Sequence, residues 1–379
     1  MKITGIASFM QRVGNRPRLL VRVDTDAGIS GWGEAYNHGP DRALPPVLEY
    51  LTPQIVGIDP RRVEFIYHKL IQSSRFPPGA LGLAAIAAIE HALWDISGKA
   101  AGLPVYMLLG GHVRDRVRVY CGLYNAPDPR EVLATTTALH AKYGFTAFKL
   151  SPFRTDLHAP RWGQVCRAAG DWFGELREIS PAAFEFAFDA HAKIFEPIQA
   201  IQLAAALAPH DPLFLEEPIR PEHIPAWGRL RQQMTVPLAT GECLYNRFEF
   251  LALLAAGGAD IIQPDICVVG GMIEMRRIAA LAEAHFVSVA PHNPMGPLAT
   301  AANVHFAAAA PNFRILEYRL PHDAPWALDP YLPVDGHLEL RPDRPGWGIE
   351  IDAAALATDD YVHWERKLPL RPDGSTGYT

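Results

Sequence analysis

Six apolar runs in the second half of the chain end alike. Phe186-Ala187-Phe188 gives way to Asp189, Phe214-Leu215 to Glu216, and Leu238-Ala239-Thr240-Gly241 to Glu242. Ile261-Ile262-Gln263-Pro264 leads to Asp265, Val289-Ala290-Pro291 to His292, and Ile315-Leu316 to Glu317. The polar ends recur about every 25 residues, the size of one strand–helix unit in a closed parallel barrel of ~250 residues. A polar group at the same phase of every unit puts all six on one rim, at the C-terminal ends of the strands.

The rest of the chain divides around this array. Residues from about 3 to 36 read as a strand meander, with Thr25-Asp26-Ala27-Gly28 as a turn. Residues 41–73 read as two helices split by Gly57-Ile58-Asp59-Pro60, and 82–99 as an amphipathic helix with Ile86, Ile89, Leu93 and Ile96 on one face. From Val117 strands alternate with helices. Strands are expected at 117–123, 145–150, 184–189, 213–216, 237–240, 260–263, 287–291 and 314–317, with helices such as 195–207 and 271–285 between them. The expected class is α/β: a (β/α)8 TIM-type barrel over 117–320, an α+β unit over 1–116, and a Pro- and Asp-rich tail over 321–379 that folds back on the first unit.

Composition narrows the function. Of 379 residues, 49% are apolar and 20% charged, an ordinary globular balance. A formal charge of −6 argues against nucleic acid or an anionic membrane as partner. It leaves room for a small anionic substrate, because a bound metal and one lysine dominate a local field. Cys121, Cys166, Cys243 and Cys267 are scattered without a Cys-x-x-Cys, so free thiols in a reducing cytoplasm are expected. No signal peptide and no bilayer-spanning apolar run is expected.

Asp189, Glu216 and Glu242 come from three successive strand ends. Three carboxylates on one rim repel unless a cation lies between them, and all-oxygen ligation favours a hard divalent ion, most simply Mg2+. Each one alone is also explained as a cap of the following helix; all three in phase are not. Spacing does not choose between Glu216 and Glu217. Asp265 and His292 lie on adjacent units, and an aspartate that fixes an imidazole tautomer makes a general base. His191, two residues past Asp189, faces either the same cavity or a structural position. Glu317 completes the ring, as a helix cap or as a partner for a developing oxyanion. Lys149, closing Phe145-Thr146-Ala147-Phe148, offers a cation on the same rim or a solvated strand end. Gly110-Gly111 is a turn rather than a phosphate loop.

Together, these residues resemble the enolase superfamily, mandelate racemase subgroup. The resemblance rests on Ala88-Ile89-Glu90-His91-Ala92-Leu93-Trp94-Asp95, Leu108-Leu109-Gly110-Gly111, Glu216-Glu217-Pro218, Gly241-Glu242 and Gln263-Pro264-Asp265. Asp189-Ala190-His191, Ala290 to Pro297 and Gly346 to Asp352 make the chain most similar to galactonate dehydratase and related acid-sugar dehydratases. The resemblance implies Asp189, Glu216 and Glu242 as Mg2+ ligands, Asp265–His292 as base, His191 as general acid and Glu317 as oxyanion partner. It implies a capping domain over the barrel mouth, with loops near Arg12–Arg18, Asn37–Arg42 and Ser73–Ala80 choosing the substrate. The implied reaction removes the C2 proton and C3 hydroxyl of a sugar acid to give a 2-keto-3-deoxy acid; a homo-oligomer is also implied. Lys149-Leu150-Ser151 stands where racemases of the superfamily carry Lys-x-Lys, which argues against a lysine–histidine racemase. Ala192-Lys193 stands where galactonate dehydratases tend to have Gly-Arg. Two other readings are an epimerase of a hydroxy or amino acid and a non-catalytic ligand-binding member.

Overall fold

The computed structural model describes residues 1–36, 39–123, 128–155, 161–320, 324–356, 358–365, 370–371 and 373–376. The N-terminal unit opens with β1 (Ile3–Val13), β2 (Arg16–Thr25) and β3 (Gly31–Ala35), an antiparallel sheet in that order. Helices α1 (Leu44–Leu51), α2 (Val63–Ile71), α3 (Gly79–Ala101) and the short α4 (Val105–Leu108) follow. Helix α3 lies directly on β3. A side chain at Gly31 or Gly33 would strike the carbonyl oxygens of Ala92 and Ala88, so glycine is what permits the approach.

Helix α3 is long and apolar enough to cross a membrane by length and composition. This corrects the expectation that no such run exists: alanines and glycines extend the apolar stretch between its larger residues. Its residues from Leu83 to Ile96 are nearly all buried in the protein, as befits the core helix of a globular unit.

The barrel strands are β4 (Arg116–Leu123), β5 (Ala147–Leu150), β6 (Glu185–Asp189), β7 (Leu215–Glu216), β8 (Leu238–Thr240), β9 (Ile261–Ile262), β10 (Ser288–Val289) and β11 (Leu316–Tyr318). Helices α5 (Pro129–Tyr143), α6 (Trp162–Ile179), α7 (Pro197–Leu207), α8 (Ile224–Gln233), α9 (Arg247–Ala255), α10 (Met272–Ala284) and α11 (Pro297–Ala309) alternate with them. All eight expected strands are present, parallel and neighbours in sequence order, with β11 beside β4. The ring closes where Val289 N–H donates to Asn312 O at 2.9 Å and Arg314 N–H to Val289 O at 2.8 Å.

After β11 no further barrel helix follows among the described residues. The chain instead adds β12 (His337–Glu339), antiparallel to the start of β4. It buries Trp326, Tyr331 and Trp347. Trp347 N–H donates to Asp95 Oδ1 at 3.0 Å and its indole N–H to Trp32 O at 3.1 Å, tying this segment to β3 and α3.

Candidate active site

Inside the barrel, Tyr120, Ala147, Ala187, Phe214, Ala239, Ile261, Ala290 and Ile315 form one buried layer, one residue from each strand or the position flanking it. Side chains on a strand return to the same face every second residue. The residues two places beyond this layer are Gly122, Lys149, Asp189, Glu216, Gly241, Gln263, His292 and Glu317. The apolar layer is thus the floor of a site whose polar groups stand one step above it. Strands β4 and β8 depart from the rule, with Gly122 and Gly241 in place of a polar side chain. Gly241 takes the inward place at φ 131, a backbone conformation suited to glycine, and the carboxylate arrives one residue later on Glu242.

Asp189, Glu216 and Glu242 bring ligand oxygens within 4.8 Å of one another. The donors are all carboxylate oxygen, the set that suits a hard divalent cation, so the cluster fits a metal. Lys149 is buried with them. Its Nζ lies 2.7 Å from Glu216 Oε1, 3.1 Å from Glu317 Oε1 and 3.3 Å from Asp189 Oδ2. With 1% of its side chain exposed, the solvated strand-end reading of Lys149 fails. Burial together with Asp189, Glu317 and Glu242 pushes the Glu216 carboxyl well above its ordinary range. Asp189 is held low: burial opposes its charge, but His191 and Lys149 outweigh that. One lysine is too little positive charge for this many carboxylates, which is the electrostatic case for a further cation.

Spacing left Glu216 and Glu217 equivalent; geometry separates them. Glu216 faces inward and also accepts Gln263 Nε2 at 2.7 Å. Glu217, at φ 39, turns away and accepts Thr240 Oγ1 and Gly241 N–H, both at 2.8 Å. It thereby holds the backbone that delivers Glu242. Positive φ values at His191 (51), Ala192 (55) and Glu217 gather backbone strain at this rim.

His292 Nδ1 lies 2.8 Å from Asp265 Oδ2, and its Nε2 lies 3.2 Å from Glu242 Oε2. Burial works against the imidazolium, but Glu242, Asp265 and Glu317 outweigh it and lift His292 to about 10. Asp265 Oδ1 accepts Cys267 N–H at 2.8 Å, which fixes the carboxylate against its own turn. His191 Nε2 sits 3.2 Å from Asp189 Oδ2 on the opposite flank of the cluster from the dyad strands. Glu317 accepts Asn293 N–H at 3.0 Å, and despite burial Lys149 and His292 hold its carboxyl down to about 2.

A cavity of about 810 Å³ opens over these groups, lined by Asp189, His191, Glu242, His292 and Glu317 from the barrel. Asn15 of the β1–β2 turn, Arg16 at the start of β2, Tyr36 and Ala80 line it from the N-terminal unit. Two of the three loop regions expected to face the substrate therefore contribute. Of the third, Asn37 and His38 lie outside the described residues, and Asp41 is buried, accepting Gly39 N–H. All eight sequence-predicted groups meet here. Gln263, Asn293 and Glu217 carry structural roles the sequence reading missed. For Gln263 the strand period was the available signal, since it lies two residues past Ile261.

The chain belongs to the mandelate racemase / muconate lactonizing enzyme family. Residues 5–110 match its N-terminal domain, and residues 131–355 match the enolase C-terminal domain-like family. A D-galactonate dehydratase from Ralstonia nicotianae is 37% identical over 386 residues, with 99% of each chain covered. The crystal structure of an enolase from Agrobacterium radiobacter, a candidate galactarate dehydratase with bound Na and L-malate, shares 59% identity, covers 100% of both chains and superposes with a TM-score of 0.98. An enolase from Pantoea ananatis with bound D-gluconate and Mg shares 28% identity, covers 100% of both chains and has a TM-score of 0.90.

Proposed function

We propose that this chain is a hydro-lyase that dehydrates a sugar acid with the help of Mg2+ held by Asp189, Glu216 and Glu242. The observation that carries the reading is the pairing of His292 with Asp265 at 2.8 Å in a cavity that His191 reaches from a different strand. Elimination of water needs one group to take a proton and another to give one, and two histidines on separate strands supply both. The relatives named as dehydratases support the choice of reaction.

A bound Mg2+ supplies Lewis acidity toward the substrate carboxylate. His292 Nε2 takes the C2 proton while Asp265 fixes the Nδ1 tautomer. A base must first be neutral, and Glu242 is the largest of the charges that raise His292. Neutralising Glu242 with a cation therefore brings the imidazole toward the neutral form. His191 delivers a proton to the departing C3 hydroxyl, and the resulting enol tautomerises to the 2-keto-3-deoxy acid. Glu317 is ionised against Lys149 and so has no proton to donate to an oxyanion. In this scheme Glu317 orients Lys149, and the ammonium group offsets negative charge growing on the substrate.

Arg16, Lys193 and Arg319 also line the cavity. Positive charge there suits an anionic substrate. Purified protein with Mg2+ is to be screened against aldonic and aldaric acids with semicarbazide detection of 2-keto acids. A hit names the substrate. A blank, with C2 hydrogen exchange in deuterated water, moves the assignment to an epimerase.

A further inference from the structure

The helices that follow the two dyad strands do not cap themselves. Helix α5 begins at Asp128, which accepts Arg130 N–H, and α9 at Asn246, which accepts Phe248 and Glu249 N–H. Helices α10 and α11 begin instead at Gly271 and Gly296, which have no side chain to offer. A carboxyl from the N-terminal unit comes to each. Glu90 of α3 accepts Met272 N–H at 2.9 Å and Ile273 N–H at 3.0 Å. Glu34 of β3 accepts Gly296 N–H at 2.7 Å and Ala299 N–H at 3.1 Å. A Cβ at Gly296 would fall 2.7 Å from Glu34 Oε1, and one at Gly271 would overlap Glu90 Oε2, so glycine is what admits the visitor at both places.

Both helices sit a few residues past the dyad. Asp265 precedes α10 and His292 precedes α11. The His292 loop has a second tie: Arg18, buried beside Glu34, donates from Nη2 to Pro294 O at 2.8 Å. Glu34 and Glu90 themselves stand on one block, because the glycines of β3 press it against α3.

We infer that Glu34 and Glu90 are positioning residues: two carboxyls on a single rigid block that fix the starts of α10 and α11, and so the separation of Asp265 and His292. Each uses both of its oxygens as acceptors. Glutamine keeps the shape but presents a nitrogen that cannot accept.

The test compares Glu34→Gln and Glu90→Gln with Asp128→Ala, which removes a self-supplied cap from a helix that follows neither dyad strand. The kinetic arm rests on the proposed dehydration and uses the acid found by the screen. Both Gln variants are expected to lose kcat by ~10²-fold, the effect of a small misplacement of a reacting group. KM and calorimetric Mg2+ affinity stay near wild type, because the metal ligands lie on other strands. Asp128→Ala lowers the melting temperature and keeps kcat. Amide hydrogen exchange, read by mass spectrometry, needs no turnover. It should rise selectively over 293–299 in Glu34→Gln and over 266–273 in Glu90→Gln. Glu34→Gln leaves Arg18 buried with less to balance it; should that variant fail to fold, Glu90→Gln carries the test alone. Wild-type kcat in a folded Gln variant, or exchange that is unchanged or rises evenly across the barrel, overturns the inference. Failure of every acid in the screen together with selective exchange overturns only the dehydratase reading.

Discussion

Lys149→Met is the perturbation that most directly probes the cluster at the barrel mouth. The substitution keeps the length of the side chain and removes its charge. Lys149 Nζ faces three carboxylates at 2.7, 3.1 and 3.3 Å. At an effective dielectric of ~20 a unit pair at that range is worth about 5 kcal/mol before desolvation, and removing one member of a buried pair costs a net ~3–5 kcal/mol. Proton uptake by Glu216, whose carboxyl is already pushed up, moves the loss toward the lower end of that range in mild acid. A divalent cation among the same oxygens works the other way. At 100 times its Kd it stabilises the wild type by ~2.7 kcal/mol, and the variant by more, since the cluster then carries one positive charge fewer. Urea unfolding in EDTA and in saturating MgCl2 measures both terms. The expected result is a gap of ~3–5 kcal/mol in EDTA that narrows on adding Mg2+. A gap below ~1 kcal/mol in EDTA, or one that Mg2+ leaves unchanged, would refute the view that lysine and metal share the neutralisation of these carboxylates.

Three further outcomes are expected. His292→Ala lowers kcat by ~10²-fold or more while calorimetry still finds Mg2+ binding; near-normal turnover removes His292 from the scheme. Glu90 is raised by burial from 4.5 to about 7. A raised carboxyl contributes stability that is present below 4.5 and lost as pH climbs through about 7, so the stability of wild type relative to Glu90→Gln should fall by about 3 kcal/mol across that window. Parallel unfolding curves of the two proteins over the same pH range count against this. Trp347→Ala, which empties a buried site and takes the indole N–H from Trp32 O while keeping the backbone bond to Asp95, costs ~3–5 kcal/mol in denaturant unfolding; a loss below ~1 kcal/mol would show that the segment after β11 is dispensable to the core.

The barrel was legible because its signal is local and repeats. A strand end announces itself with a short apolar run and one polar residue; six such ends, together with the alternation of strand-like and helix-like segments, were enough to locate eight strands. Glu242 was found because it closes an apolar run, even though Gly241 shifts it off the strand period. Lys149 was ambiguous for a physical reason: a lysine stem suits a solvated edge as well as a buried one, and only the three carboxylates around it decide. Glu34, Glu90 and Arg18 were illegible as partners of the barrel. Their hydrogen bonds join residues as far apart as Glu34 and Ala299, and no periodicity links a carboxyl to a helix start so distant in the chain. The borrowed caps leave only a faint trace, the glycines where a capping serine or aspartate is usual.

The apolar layer beneath the site sets a boundary on how such an enzyme can change its diet. Tyr120, Phe214, Ile261 and Ile315 fill the barrel axis, and the alanines at 147, 187, 239 and 290 leave them just enough width. Interiors packed this way do not yield to an added methylene. The depth at which a substrate's reacting carbons rest is therefore a fixed datum, measured up from the floor through Asp189, Glu216 and His292. A longer or bulkier substrate has to find its room overhead, where Asn15, Arg16, Tyr36 and Ala80 supply the ceiling. Divergence toward new substrates is thus channelled into a few positions of the N-terminal unit, while the reacting end of every substrate is held to the same gauge.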